Sequence, residues 1–116
     1  MKYNSNFRYD LKVGKVTEEL LGEILEDDTI EVKDDSAKSA KTGNVFIEFR
    51  SRGKLSGISK SHAKWWAIRT SDGTFVMIEV GKLRALCKKY YRLGKIVRGG
   101  DANTSEGILI PRHELL

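Results

Sequence analysis

Glu31, Lys33, Asp35 and Glu48 are the residues whose types and spacing could do chemistry in this chain. The first three fall in the run Thr29 to Asp35, and Glu48 falls in the run Gly43 to Arg50. Each run alternates apolar and polar residues with a period of two, the pattern of a strand with one buried face. Ile30 and Val32 are expected on one face, with Glu31, Lys33 and Asp35 on the other. In the second run Val45, Ile47 and Phe49 share a face, opposite Phe46, Glu48 and Arg50. The polar, Lys-rich connection from Ser36 to Thr42 predicts an open loop between antiparallel neighbours. Paired in that way, three carboxylates and a lysine gather on one sheet face. Carboxylates at such density repel one another unless a cation sits among them, which points to a divalent metal. The same alternation also describes an ordinary solvated strand face, and these residues alone leave both readings open.

Composition narrows the setting. A chain of 116 residues, 40% hydrophobic and 32% charged, has the length and apolar content of one soluble domain with a single core. No run approaches the roughly 18 apolar residues of a membrane span. The first six residues lack the apolar stretch of a secretory signal. The lone Cys87 allows no internal disulfide, so a reducing cytoplasm is expected. One cysteine and two histidines make a structural zinc site a poor fit, leaving oxygen ligands for any metal. Net charge is +5, with a pI near 9.4. Acids concentrate between residues 18 and 35, whereas 50–69 and 82–98 are rich in Lys and Arg. An acidic pocket in a basic surround suits a protein that holds a phosphodiester backbone around a metal, and surface lysine also serves solubility.

The elements that must position these residues follow from periodicity. A helix is predicted from about Leu11 or Val13 to Glu26, with Val13, Val16, Leu20 and Ile24 on its buried stripe and Glu18, Glu19 and Glu23 beside it. Ser51 to Lys64, with two glycines and four serines, reads as a loop with a short helical turn from Ser59 to Lys64. Its amides and lysines suit phosphate contacts or an ordinary polar connector. Trp65 to Arg69 and Thr74 to Val80 are two strands joined by a hairpin carrying Asp72-Gly73. The two tryptophans fall on opposite faces, one expected in the core, the other over a helix or stacked on a base. Gly81 to Tyr91 is a helix with Leu83, Leu86, Cys87 and Tyr90 inward and Arg84, Lys88, Lys89 and Arg92 outward. Residues 94–101 read as a glycine-rich turn without the spacing of a nucleotide cradle. Gly107 to Pro111 is a last short strand, and Arg112 to Leu116 a tail. The class expected is α+β, a largely antiparallel mixed sheet flanked by two helices.

Five blocks in this order resemble the PD-(D/E)XK nuclease superfamily, and more closely its small phage-type members. They are I-E-V-K-D-D at Ile30 to Asp35, G-N-V-F-I-E-F at Gly43 to Phe49, S-G-I-S to W-W at Ser56 to Trp66, G-G-D at Gly99 to Asp101, and Ile110-Pro111. The resemblance covers most of the chain as one nuclease-like domain with a restriction-endonuclease-like core. It implies a Mg²⁺- or Mn²⁺-dependent endonuclease that hydrolyses phosphodiester bonds of double-stranded or branched DNA, as junction resolvases do. By the same resemblance Asp35 and Glu48 are the metal-binding acids, with Glu31 beside them. Lys33 is the catalytic lysine and Glu18, or Glu19, the helix carboxylate. Arg50, Lys54, Ser59, Lys60 and Lys64 are the expected nucleic-acid contacts. The implied partners are DNA and a second copy of the chain, with no membrane and no small-molecule cofactor. The implied location is the cytoplasm, that of a host if the chain is phage-encoded.

One departure stands out. The family lysine belongs two residues after the second acid, where this chain has Arg50. Arginine stays protonated, so it can hold a phosphate but cannot act as a base. Lys33 is the expected substitute, reaching across from the neighbouring strand. An alternative takes Glu31-Val32-Lys33 itself as the E-x-K element, lacking a well-placed preceding Asp. A second function class, a nucleic-acid-binding protein with a nuclease-like fold and no cleavage, is favoured by Arg50, and a third, a small interaction or regulatory domain with no nucleic-acid role, only by the modest net charge.

Overall fold

A computed structural model describes residues 10–13, 29–71 and 73–116. Asp10–Val13 is a strand, β1, where the predicted first helix was expected to begin. The remainder of that helix, with Glu18, Glu19 and Glu23, lies outside the described residues.

The described chain is α+β: two four-stranded sheets and two helices, with mixed and largely antiparallel pairing. β2 (Ile30–Asp34) leads into a short helix, α1 (Ser36–Thr42), then β3 (Asn44–Ser51) and β4 (Lys54–Leu55). A 3₁₀ turn at Gly57–Ser59 precedes β5 (Trp65–Ser71) and β6 (Thr74–Glu79). Helix α2 (Val80–Arg92) follows, then β7 (Ile96–Gly99), β8 (Ser105–Pro111) and a closing 3₁₀ turn at Arg112–Leu115. The first sheet has the order β1-β6-β5-β2 and the second β4-β3-β8-β7. β1 runs parallel to β6 and β2 parallel to β5; every other pairing is antiparallel.

This arrangement corrects the expected pairing of the two acid-bearing strands. β2 and β3 are not neighbours but belong to different sheets. The connection between them is a helix rather than an open loop, because its alanines and lysines are good helix formers. Gly43 ends that helix in the left-handed conformation (φ 75°), its N–H donating to the Ser39 carbonyl. Residues 96–99, expected as a turn, form the edge strand β7. The helical turn expected at Ser59 to Lys64 is realised earlier, at Gly57–Ser59.

The core follows from strand alternation. Trp66 and Ile68 of β5 and Val76 and Ile78 of β6 face Val45 and Ile47 of β3 and Ile108 and Ile110 of β8. Leu83, Cys87 and Tyr90, one helical stripe of α2, close the same cluster. Burying each large side chain there contributes about 1.5–3 kcal/mol. Burial pushes the Cys87 thiol up to about 12, against a smaller opposing effect of Arg84, so it stays protonated and packs as an apolar residue. Ala67 and Met77 are buried on the opposite face of the first sheet, with Ile30, Trp65 and Phe75 beside them. The two tryptophans thus serve opposite faces, Trp66 in the core and Trp65 against the smaller cluster.

β2 is an edge strand whose apolar face is only partly covered: Ile30 packs against the smaller cluster, but the strand's far end is open. Val32 is 63% exposed, whereas Glu31 and Lys33 stand level with the core residues Trp66 and Ile68. Glu31 and Lys33 therefore share the face of the first sheet that carries Trp66 and Ile68 toward the second. Among the described residues no helix is long and apolar enough to cross a membrane.

Candidate functional site

The second sheet supplies Glu48 from the middle of β3, paired opposite Gly107 of β8. The register shifts between Glu48 and Arg50, a bulge that re-aims the side chains around it. Ser56 donates its hydroxyl to Glu48 Oε2 at 2.9 Å. Gly57, next in sequence, lies so close that a Cβ there would stand 2.2 Å from the Glu48 carbonyl oxygen. The S-G-I-S block is thus a buttress: its serine fixes the Glu48 carboxylate and its glycine admits the Glu48 backbone.

The first sheet supplies the other charges. Asp35 follows β2 and accepts a hydrogen bond on Oδ2 from the Phe46 N–H at 2.8 Å, joining the end of β2 to β3. The Phe46 ring lies against Gly99 and Gly107, where side chains would collide with it. Burial pushes the Asp35 carboxyl above its ordinary value, outweighing the Phe46 N–H and Lys38, with Asp34 adding to the rise. A half-buried carboxylate with a raised pKa favours either a proton or a nearby cation.

Glu31 and Lys33 form a pair at 2.7 Å on the same face of β2. Ser61 donates to Glu31 Oε1 at 2.8 Å, and the Trp66 indole N–H donates to Ser61 Oγ at 3.0 Å. The Lys33 ammonium stands 5.4 Å from the centre of the Trp66 ring. Burial raises the Glu31 pKa, but Lys33 and Ser61 together outweigh it, and the carboxyl ends below its ordinary value. Glu31 is therefore a charged partner of Lys33.

Lys33, Asp35 and Glu48, from two sheets, line one cleft of about 550 Å³. Lys38 of α1 and Gly100 border it, and Trp66 and Ile68 are among its lining residues. Glu31 is not among the residues that line it. Asp34 reaches the same cleft, with one carboxylate oxygen on Ser36 and the other on Arg69 at 3.2 Å. Among the described residues no three His, Cys, Asp or Glu side chains lie together closely enough to hold an ion. The expected gathering of three carboxylates into one ion site is thus not formed among the described residues; Asp35 and Glu48 line the cleft together, and the Asp34 carboxylate there is engaged by Ser36 and Arg69. Asp35 and Glu48 each have one oxygen fixed by a protein donor and a second without a hydrogen-bond partner among the described residues. Two carboxylates plus waters and a phosphate oxygen satisfy a hard cation such as Mg²⁺. Glu18 and Glu19 lie outside the described residues.

The expected nucleic-acid contacts are spread over the surface. Arg50 is exposed, 4.0 Å from Glu106, and Lys54 is exposed on β4. Ser59, Lys60 and Lys64 are exposed around the 3₁₀ turn and the entry to β5. Sequence reasoning treated Ser56 and Ser61 as loop residues; their side chains instead hold Glu48 and Glu31. Their membership of one motif block with Gly57 was the available signal.

Asp35→Asn gives a test of the electrostatics that needs no substrate. A folded-state pKa raised above the unfolded value means that the folded state binds the proton more tightly. The resulting stability is present below the ordinary Asp pKa and is lost as pH rises through the folded pKa. At neutral pH the charged Asp35 is a cost that Asn lacks, while its amide oxygen still accepts from Phe46. Asp35→Asn should melt above wild type at pH 7, by a margin that shrinks toward pH 4. Equal melting temperatures across that range in paired thermal scans would refute the burial argument. No protein-family model, curated protein or solved structure matches the chain.

Proposed function

We propose that this protein is a divalent-metal-dependent endonuclease acting on DNA, with Asp35 and Glu48 as its acid pair. The observation that supports the reading most is the cleft in which two carboxylates, one just after β2 and one on β3, each with an oxygen that has no partner among the described residues, open beside Lys33 and Lys38. A Mg²⁺ or Mn²⁺ ion held by Asp35 and Glu48 would supply charge stabilisation at a phosphate and a more acidic water. Lys33 and Lys38 set positive charge where an incoming phosphodiester places negative charge. Glu31 and Ser61 orient Lys33, and Ser56 orients Glu48. Trp66 and Ile68 give the cleft an apolar part of its lining. Action as a homodimer, one strand cut by each subunit, in the cytoplasm of a cell or phage host belongs to the same proposal.

The test is conversion of supercoiled plasmid to nicked circle by wild-type protein with Mg²⁺, with Mn²⁺ and with excess chelator. Nicking that requires the metal is the expected outcome. A second reading, DNA binding without cleavage, is favoured by Arg50 in place of the motif lysine and by the ion pair that occupies Lys33. Salt-dependent DNA binding with no nicking under any metal would select it.

A further inference from the structure

Backbone strain in this structure gathers beside the candidate site. Among the described residues, non-glycine residues with positive φ are Arg52 (51°), Ala102 (56°) and Asn103 (55°). They fall in two turns, β3–β4 and β7–β8, that meet where the Arg52 N–H donates to the Thr104 carbonyl at 2.9 Å. Left-handed backbone is disfavoured for side chains with a Cβ, and such residues cluster where a site over-determines them.

The β3–β4 turn makes the point sharply. Ser51 pairs with Lys54, leaving Arg52 and Gly53 as a two-residue loop with both φ values positive. That is the signature of a type I′ turn, whose first position favours Asn, Asp or Gly. Arginine at that position works against local stability. Its side chain is exposed and, among the described residues, has no acid partner. Lys54 is exposed across the turn. Arg52, Ser51 and Glu48 line one cavity of about 400 Å³ with Gly100, Thr104 and Ser105. The turn therefore opens directly onto the acid that the cleft presents.

We propose that the β3–β4 turn is a duplex-DNA clamp, in which Arg52 and Lys54 each take a backbone phosphate flanking the one held at Glu48. This rests on the nuclease reading above and adds to it a DNA-contact residue, Arg52, and a defined surface. Guanidinium matches phosphate geometry in a way that Asn or Gly at the turn would not. The tight turn also fixes the backbone that carries Arg52 before DNA arrives, so no loop has to be ordered on binding.

The test uses Arg52→Gly, which keeps the turn conformation and removes its strained side chain. Binding of a labelled duplex is measured across a salt series, with Ca²⁺ replacing Mg²⁺ to suppress cutting. Arg52→Gly should bind roughly tenfold more weakly at low salt, with the slope of log affinity against log salt smaller by about 0.9, one phosphate contact. It should melt no lower than wild type. Lys54→Ala should lose a similar slope increment, whereas Lys82→Ala, on α2, should lose none. Arg52→Gly with wild-type affinity and slope, from a wild type that nicks, overturns the clamp and leaves the nuclease reading standing. A wild type that neither binds duplex nor nicks removes both.

Discussion

Glu48→Gln should lower metal-dependent nicking by about three orders of magnitude, from roughly 4 kcal/mol of lost charge stabilisation at about 1.4 kcal/mol per tenfold. The substitution is close to isosteric. Its amide oxygen still accepts from Ser56, and the side chain stays between the β3 bulge and the 3₁₀ turn. The change therefore removes charge and little else. Glutamine is also a poor ligand for Mg²⁺ beside a single remaining carboxylate. Nicking rates on supercoiled plasmid, with thermal melts of the same preparations, separate lost chemistry from lost fold. Glu106→Gln on neighbouring β8 is the control, since its carboxylate faces Arg50 rather than the cleft. Should Glu48→Gln and wild type nick at the same rate, the assignment of Glu48 as a metal-binding acid fails.

What could be read in the sequence was local. Alternation in 44–50 put Val45 and Ile47 inside, as the fold has them. The stripe Leu83, Cys87, Tyr90 marked α2, and the Asp-Gly signal marked the β5–β6 hairpin. Alternation in 30–34 is equally clear and correctly groups Ile30 with Val32 and Glu31 with Lys33, yet it carries no information about which strand is the neighbour or how far each face is covered. β2 pairs in parallel with β5, some 35 positions later (Ile30 with Trp65). It lies at the sheet edge, where Val32 can face solvent and Glu31 and Lys33 can face inward. The helix at Ser36–Thr42 was hidden for another reason: five polar residues and two alanines give no large apolar stripe, so period carries little signal and only composition remains. The candidate site was legible as a set of residue types and not as an assembly. Asp35 and Glu48 share a cleft through contact between sheets, by way of the Phe46 N–H and not through strand pairing. The lysine is held by Glu31 on its own strand, a near-neighbour relation that alternation does contain.

The close approach of the 3₁₀ turn to β3 explains why a single methyl group at Gly57 should be so damaging. Gly57→Ala is expected to destabilise the protein by about 3 kcal/mol, combining roughly 1–2 for a left-handed alanine with 1–3 for overpacking. For a domain of this size that lowers the melting temperature by on the order of 10 °C. Gly57 has φ of 52°, and its added Cβ would stand 2.2 Å from the Glu48 carbonyl oxygen and 2.8 Å from the carbon. Those are backbone atoms of a paired strand and cannot swing aside as a side-chain tip would. Relief requires β3 to move, or the 3₁₀ turn, whose Gly57 carbonyl accepts from the Lys60 and Ser61 N–H groups. Either shift disturbs Glu48 and Glu31 together, because Ser56 and Ser61 hold them from that turn. Gly53→Ala is the matched comparison: φ is 76°, but nothing lies within 4 Å of its added Cβ, so only the conformational cost of about 1 kcal/mol applies. Urea or thermal melts should rank wild type above Gly53→Ala and Gly53→Ala well above Gly57→Ala. Equal losses for the two alanines would mean that left-handed backbone alone requires glycine at 57, and the close approach to Glu48 would lose its explanatory role. Nicking reports on the same contact, since Gly57→Ala, assayed well below its melting temperature, should still be impaired.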